Sequence, residues 1–309
     1  MKTLIVGGVA GGASAAARLR RLDEKSEIIL FEKGPHISFA NCGLPYYLGG
    51  VIAEEQALLL QTPASFFGRF CVDVRVNSEV LRIDRAEKRV EVLNGETGQR
   101  YWESYEKLIL SPGAVPATPP ITGLDQAGVF TLRNVPDTLE IDEYIRENKI
   151  SRAVVIGGGN IGVELAENLC HRGIAVTIVE FAPHVITALD TEMANLVQKE
   201  LREHGVTLRL GCGVTAVEKV PGGLHLKLTQ GEMDTQMVLL CAGVVPNSKL
   251  AKDAGLELGV RGCIAVNDKM QTSDPDIYAV GDAVEVTEFV TGQKRHIALA
   301  GPEIGRAHV

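Results

Sequence analysis

RAVVIGGGNIGVELAENLCHRGIAVTIVE, Arg152 to Glu180, is the stretch that decides the fold. An apolar β-branched run breaks on three glycines and passes into an Ala/Leu-rich helical pattern. A second β-branched run follows and closes on an acidic residue. Strand, glycine turn, helix and strand make a βαβ unit. Gly157, Gly159 and Gly162 complete the pattern G-x-G-x-x-G, with Asn160 and Ile161 filling the turn. Glycines there let backbone N–H groups approach a pyrophosphate at a helix N-terminus. Glu180 ends the second strand, where a carboxylate accepts from ribose hydroxyls. Taken singly, such a turn also suits an α/β protein that binds nothing.

The same design stands at the start of the chain. TLIVGGVAGGASAAARLRRLDEKSEIILFE, Thr3 to Glu32, carries Gly7 and Gly12, with Val9 at the middle glycine's place and Ala10 and Gly11 within the turn. Glu32 repeats the position of Glu180. Two such units in one chain predict two dinucleotides, one per domain. Between them, Val72–Ala114 alternates as antiparallel strands do, and then offers a buried strand at Lys107–Ser111. GAVPATPPITG, Gly113–Gly123, is a Pro/Gly-rich linker. A helix at about Asp190–His204 and several short strands follow the second unit. The expected fold is α/β, with two Rossmann-like three-layer domains. Residues 1–112 and 246–302 form the first, and residues 113–245 form a second inserted in it.

Composition narrows the function. The chain has 309 residues, 45% of them hydrophobic and 23% charged, which suits two globular domains. A formal net charge of -8 without a Lys/Arg block argues against nucleic acid or an acidic membrane as partner. No apolar run is long enough to span a bilayer, and glycines and arginines interrupt the N-terminal run where a signal peptide would need its core and cleavage site. The six cysteines, Cys42, Cys71, Cys170, Cys212, Cys241 and Cys263, form no C-x-x-C pair. They read as thiols of a reducing cytoplasm. No His or Cys stands near Cys42 at ligand spacing, so no metal site is expected.

Five motifs in order then resemble the pyridine nucleotide–disulfide oxidoreductase family: the two glycine turns, LSPGA (Leu110–Ala114), CAGVVPN (Cys241–Asn247) and IYAVGDA (Ile277–Ala283). The resemblance runs from Met1 to about Pro302. It implies FAD on the first unit, at Gly7, Val9, Ala10, Gly11, Gly12, Glu32, Lys33, Val80, Ser111, Pro112, Gly113, Gly281, Asp282 and Ala283. Asp282 is implied at the ribityl–phosphate part of FAD. A nicotinamide nucleotide is implied at Gly157, Gly159, Asn160, Ile161, Gly162, Glu164, Glu180 and Gly243, with Glu164 near the nicotinamide. Glu180 would repel a 2′-phosphate and no Arg follows it closely, so NADH is expected. His184 leaves NADPH open.

ISFANCGLPYYLGG, Ile37–Gly50, holds Cys42. Two-cysteine members of the family carry C-x-x-x-x-C here. This chain has Tyr47 in the second place, which excludes an internal dithiol. A single cysteine can still cycle through a sulfenic acid or a mixed disulfide with a small thiol. Pro45 suits a helix's first turn, and a helix N-terminus lowers a thiol's pKa. NADH peroxidase and oxidase relatives place a histidine where this chain has Ala10, which argues against peroxide or oxygen as main substrate. SFANCGLPYY most resembles coenzyme A disulfide reductases, including rhodanese-fused forms. That resemblance puts Ser14, Arg18, Arg21, Ser38 and Asn41 against coenzyme A. Ser14, Arg18 and Arg21 share one helical face at i, i+4 and i+7, and arginine forks suit phosphates. A solvated helix face is the alternative for both arginines. One implied lysine contact is Phe70 here, beside Arg69. The expected activity is FAD-dependent NAD(P)H reduction of coenzyme A disulfide, persulfide or polysulfide through Cys42. Sulfenic acid chemistry, or electron transfer to a protein partner, is the alternative.

The resemblance also implies an Ala-rich continuation after Leu299–Pro302, and a C-terminal dimerisation domain that makes the full-length protein a homodimer. EIGRAHV, Glu303–Val309, departs from it. The codons GAG-ATC-GGA-AGA-GCA-CAC-GTC encode that heptapeptide and, past the first base, match a common sequencing-library adapter that then reads TGA. The expectation is a C-terminally truncated chain whose residues 303–309 are non-native.

Overall fold

A computed structural model describes residues 1–299 and 304–308. The expected end of the native segment at 302, and Glu303 and Val309 of the tail, lie outside the described residues. The chain forms two compact units, one of Met1–Phe39, Leu59–Val115 and Val245–Val309, the other of Ala40–Leu58 and Pro116–Val244.

In the first unit, β1 (Lys2–Val6) lies at the centre of a parallel sheet. It pairs with β2 (Glu27–Phe31) on one side and β7 (Lys107–Leu110) on the other, so that Val6 faces Phe31 and Leu110. β3 (Asp73–Arg75) and β18 (Ile277–Ala279) form the edges. Strand residues alternate between the two faces of the sheet, and both faces are covered. Ile5, Ile28 and Leu30 point to the face covered by α1 (Ala10–Leu22) and α3 (Pro63–Phe70), meeting Ala13, Ala16, Ala17 and Phe66. The alanines let α1 lie close to the sheet. Leu4, Ile29, Phe31, Leu108 and Leu110 point the other way. They meet Val80, Ile83, Val90 and Val92 of the antiparallel strands β4 (Ser78–Asp84) and β5 (Arg89–Asn94), beside β6 (Arg100–Ser104).

The second unit repeats the plan. β10 (Arg152–Ile156) is central, between β11 (Ala175–Glu180) and β16 (Met237–Leu240), with β12 (Thr207–Leu210) and β9 (Val129–Phe130) at the edges, all parallel. One face carries an antiparallel sheet of β13 (Val214–Val220), β14 (Gly223–Leu228) and β15 (Glu232–Thr235). Its Val217, Leu224 and Leu226 pack on Val154, Ile156, Val179, Val238 and Leu240. α5 (Asn160–His171) packs on β10 and β11. α4 (Val135–Glu147) and α6 (Thr191–Glu203) complete the helices. The three-layer α/β class expected of each domain is what the structure shows.

The chain leaves the first unit along β8 (Ala114–Pro116) and returns along β17 (Val244–Pro246). It then forms α7 (Lys249–Asp253), β18 and the hairpin of β19 (Glu285–Thr287) and β20 (Lys294–His296). One difference from the sequence reading matters for function. Residues 40–58 belong to the second unit, inside a range assigned to the first. Their short helix α2 (Leu44–Leu48) packs on α4 and α5 of that second unit.

Candidate functional site

The two glycine turns are near copies. Gly7 and Gly157 both have positive φ, +99° and +107°, and donate to the carbonyls of Phe31 and Val179 at 2.8 and 2.9 Å. A Cβ on Gly12 would stand 1.8 Å from the Gly7 carbonyl oxygen, and one on Gly162 2.0 Å from that of Gly157. Each helix can lie this close to its strand only because the residue has no side chain. The middle positions differ. A Cβ on Gly159 would meet no protein atom within 4 Å, and Val9 occupies the matching place at the N-terminus of α1. Neither Val9 nor Gly159 caps its helix with a side chain, while Asn160, Ile161 and Ala10, Gly11 supply the first helical turns.

The acidic residues expected at the riboses are held in the same way. Glu32 accepts from the backbone N–H of Gly8 at 2.8 Å and of Gly34 at 2.9 Å. Glu180 accepts from Gly158 at 2.5 Å and Ala182 at 2.7 Å. Each carboxylate is therefore aimed before any ligand arrives, and each oxygen keeps a lone pair for a hydroxyl. Lys33 beside Glu32 is exposed, and so is Phe181 beside Glu180. His184 turns its Nδ1 to the Val185 carbonyl, 3.0 Å away.

The short glycine motifs meet as well. In the first unit, Asn247 donates from its backbone to Gly113 at 2.9 Å and from Nδ2 to Pro112 at 3.3 Å, so the end of CAGVVPN closes LSPGA. Ser111 donates to Val6 at 2.7 Å; in the second unit Cys241 does the same to Ile156 at 2.7 Å, and Ala117 donates to Gly243 at 2.9 Å. Burial pushes the Cys241 thiol up to about 12, so it stays protonated. Gly281, Asp282 and Ala283 form a 3-10 turn after β18, and the Nε2 of His296 lies 2.7 Å from the Asp282 carbonyl. Val80 is buried in β4.

The cysteine excursion begins and ends on a hydrogen-bonded stem, Leu60 to Ser38 at 3.0 Å and Ala40 to Leu58 at 2.8 Å. Asn41, Cys42 and Gly43 form a 3-10 turn, and α2 follows with Pro45 in its first turn. Cys42 thus lies two residues before a helix of five residues. Its thiol belongs to an exposed residue, whereas Asn41 keeps a buried Oδ1 with no hydrogen-bond partner among the described residues. Glu164, in the same unit on α5, has its carboxyl raised by burial, with Glu167 adding to it. Asn168, one turn on, donates from Nδ2 to the Glu164 carbonyl at 2.8 Å, and a Cβ on Gly49 would lie 2.4 Å from its Oδ1. Sequence reasoning missed Asn168 and Arg172. An amide and an arginine near a helix C-terminus look generic until the excursion is seen to rest there.

In the first unit, Ser14, Arg18 and Arg21 lie on α1, and Ser38 has φ +45° with its N–H on the Gly8 carbonyl. Arg18 and Arg21 are exposed and make no hydrogen bond or ion pair among the described residues. Their neighbour Arg20 is occupied, donating to the carbonyls of Phe70, Asp23, Glu24 and Cys71. Arg69 stacks on the ring of Phe70. The structure thus separates one structural arginine from two available ones. Among the described residues no cluster of His, Cys, Asp and Glu could hold a metal, and no helix is long and apolar enough to cross a membrane.

A family model described as pyridine nucleotide-disulphide oxidoreductase matches residues 1–301. The chain belongs to that family. A coenzyme A disulfide reductase of Staphylococcus aureus (strain JH9) is 37% identical over 299 residues, which cover 96% of this chain and 65% of that protein. Reduced Bacillus anthracis CoADR-RHD superposes with a TM-score of 0.97 at 53% identity, over 99% of this chain and 55% of that one. A NAD-dependent persulfide reductase from A. fulgidus gives 0.96 at 36% identity, over 100% and 58%. The chain thus spans just under two thirds of the staphylococcal relative.

For this pyridine nucleotide-disulphide oxidoreductase the family implies FAD and a nicotinamide nucleotide. The residues present fit such groups. Each unit has a positive-φ glycine, a helix N-terminus without a side-chain cap, a Cβ-free approach or small turn, and a pre-aimed carboxylate. The open space at Gly159 leaves the room that a pyrophosphate approaching the backbone would need.

Proposed function

We propose that this chain is the nucleotide-binding portion of a FAD-dependent NAD(P)H reductase of coenzyme A disulfide, or of coenzyme A persulfide or polysulfide, acting through Cys42. The observation that carries the reading is an exposed Cys42 with Tyr47, not a cysteine, at the far end of α2. A thiol so placed lacks a second cysteine at the C-x-x-x-x-C spacing, which favours a mixed disulfide with the substrate over an internal one. The Cys42 thiolate attacks one sulfur of the disulfide, forming Cys42–S–S–CoA and releasing one coenzyme A thiolate. Cleavage of that mixed disulfide takes two electrons and leaves the Cys42 thiolate and a second coenzyme A thiolate. FAD, when bound, supplies the two-electron relay from the nicotinamide. Glu32 and Glu180 orient the riboses. Arg18 and Arg21 take coenzyme A phosphates, with Ser14, Ser38 and Asn41 as lesser contacts. The similar disulfide and persulfide reductases support the substrate class. NADH as preferred donor, a homodimer of the longer protein and a cytoplasmic location complete the reading.

Replacing Cys42 and Cys71, the two exposed cysteines, one at a time tests it. Cys42→Ser should bind FAD and let NADH reduce it, yet lose coenzyme A disulfide turnover; Cys71→Ser should keep turnover. Disulfide reduction retained by Cys42→Ser overturns the proposal. Sulfenic acid chemistry predicts a dimedone adduct on Cys42 after peroxide turnover. Ala10, with no imidazole to serve that acid, argues against it.

A further inference from the structure

The excursion that carries Cys42 is tied down at the end of α2. Arg172 closes α5, and its Nη1 donates to the Leu48 carbonyl at 3.0 Å and to Asp142 Oδ1 at 2.6 Å. Leu48 is the last residue of α2. Carbonyls at a helix end lack intrahelical partners, and a cation there meets the negative end of the helix dipole. Asp142 lies on α4, where its second oxygen accepts from Arg146 at 2.9 Å. The side chains of Arg172 and Asp142 are only 23% and 16% exposed, so this pair is better shielded than an ordinary surface bridge. Just beyond α2, Gly49 lies so close to Asn168 of α5 that a Cβ at position 49 would stand 2.4 Å from the Asn168 Oδ1. Two helices of the second unit thus grip the far end of the excursion, and one of them carries Glu164.

We propose that Arg172 is a positioning residue: by joining Leu48 to Asp142 it latches the Cys42 excursion to α4 and α5, so that the thiol keeps its place relative to the nicotinamide-binding helix. The proposal rests on the reading of Cys42 as the reacting thiol. Small displacements of reacting groups cost rate steeply, up to about a hundredfold per ångström, so a loosened latch slows the sulfur step without weakening nucleotide binding.

Both bonds leave one nitrogen of Arg172, so an ammonium can replace them and a thioether cannot. In the flavin-loaded full-length protein, Arg172→Met should speed amide exchange in residues 44–52 by about tenfold. It should also lower kcat for coenzyme A disulfide by about tenfold, with KM for NADH unchanged. Arg172→Lys should recover most of both. Asp142→Asn should show a smaller effect in the same direction. Unchanged exchange in Arg172→Met overturns the latch. Faster exchange with unchanged disulfide turnover overturns the positioning role. A fall in every rate together with the melting temperature, unrescued by Lys, also overturns it, because that marks general unfolding. Failure of the functional reading shows separately, as turnover retained by Cys42→Ser.

Discussion

Ser38 and Ile186 hold one conformation at one place in two units of different sequence. Each donates its backbone N–H to the carbonyl of the second glycine in its turn, Ser38 to Gly8 at 2.9 Å and Ile186 to Gly158 at 2.8 Å. Their φ values are +45° and +46°. The residues before them, Ile37 and Val185, are both fully buried against the turn. A β-branched residue at that φ is strained by about 1–2 kcal/mol. The pocket for the preceding side chain, together with the bond to the glycine carbonyl, fixes the loop that follows Glu32 or Glu180. Each carboxylate is itself bonded to its own glycine turn, Glu32 to the Gly8 N–H and Glu180 to the Gly158 N–H.

The glycines within one turn should respond differently to the same methyl group. Gly162→Ala drives a Cβ to 2.0 Å from the Gly157 oxygen, a backbone atom that cannot swing away. We expect a loss of about 1–3 kcal/mol or more, read as a fall of several degrees in melting temperature. Gly159→Ala meets no protein atom within 4 Å, so its melting temperature should hold while KM for NADH rises. Equal melting losses would mean that Gly159 serves the fold and not a ligand.

Glu180→Gln should narrow any preference for NADH over NADPH by about tenfold, since it removes a negative charge facing the place of a 2′-phosphate. Glutamine can still accept one of the two bonds now taken from Gly158 and Ala182, so the turn should survive. The ratio of kcat/KM values for the two nucleotides measures this. An unchanged ratio removes Glu180 from nucleotide choice.

Acid stability gives a test within the first unit. Asp276 pairs with Lys107 at 2.6 Å and Lys88 at 2.5 Å, and its carboxyl is lowered from 3.8 to about 2, the bond to Lys107 contributing most. A lowered pKa stabilises the folded chain fully above the ordinary value, and that stabilisation is lost as pH falls from about 4 toward about 2. Asp276→Asn should therefore melt lower than the parent at pH 7, with the gap closing across that window. A gap that persists at pH 2 would place the effect in packing.

The fold was legible because the two glycine turns are set by local needs that sequence displays, namely Gly7 and Gly157 at positive φ and Gly12 and Gly162 against a carbonyl. The same holds for Glu32 and Glu180, whose distance along the chain follows from one helix and two strands. The excursion was not legible. Nothing in NCGLPYYLGG says that its helix rests on α5, because the contact includes the approach of Gly49 to Asn168 and a backbone carbonyl on Arg172. Backbone-to-side-chain ties between segments so far apart leave no periodicity to read. Ile186 was hidden for a related reason: its conformation comes from Val185 and Gly158, not from its own residue type.

Arg18 and Arg21 carry the last prediction. An arginine on a helix face usually has only water to bind, and the sequence cannot tell that from a phosphate site. The structure narrows the choice by showing what an employed arginine looks like on the same helix. Arg20 donates to four carbonyls, while Arg18 and Arg21 are exposed and make no bond among the described residues. Long cations left unpaired together on one face are suited to a polyanion, and each phosphate contact adds a salt-dependent increment. The double variant Arg18→Ala, Arg21→Ala should raise KM for coenzyme A disulfide by about tenfold or more, leave KM for NADH alone, and flatten the dependence of the disulfide KM on ionic strength. Arg20→Ala should instead lower the melting temperature, because it strips partners from the carbonyls that end α1 and α3. A disulfide KM that does not move in the double variant would return both arginines to the solvated surface.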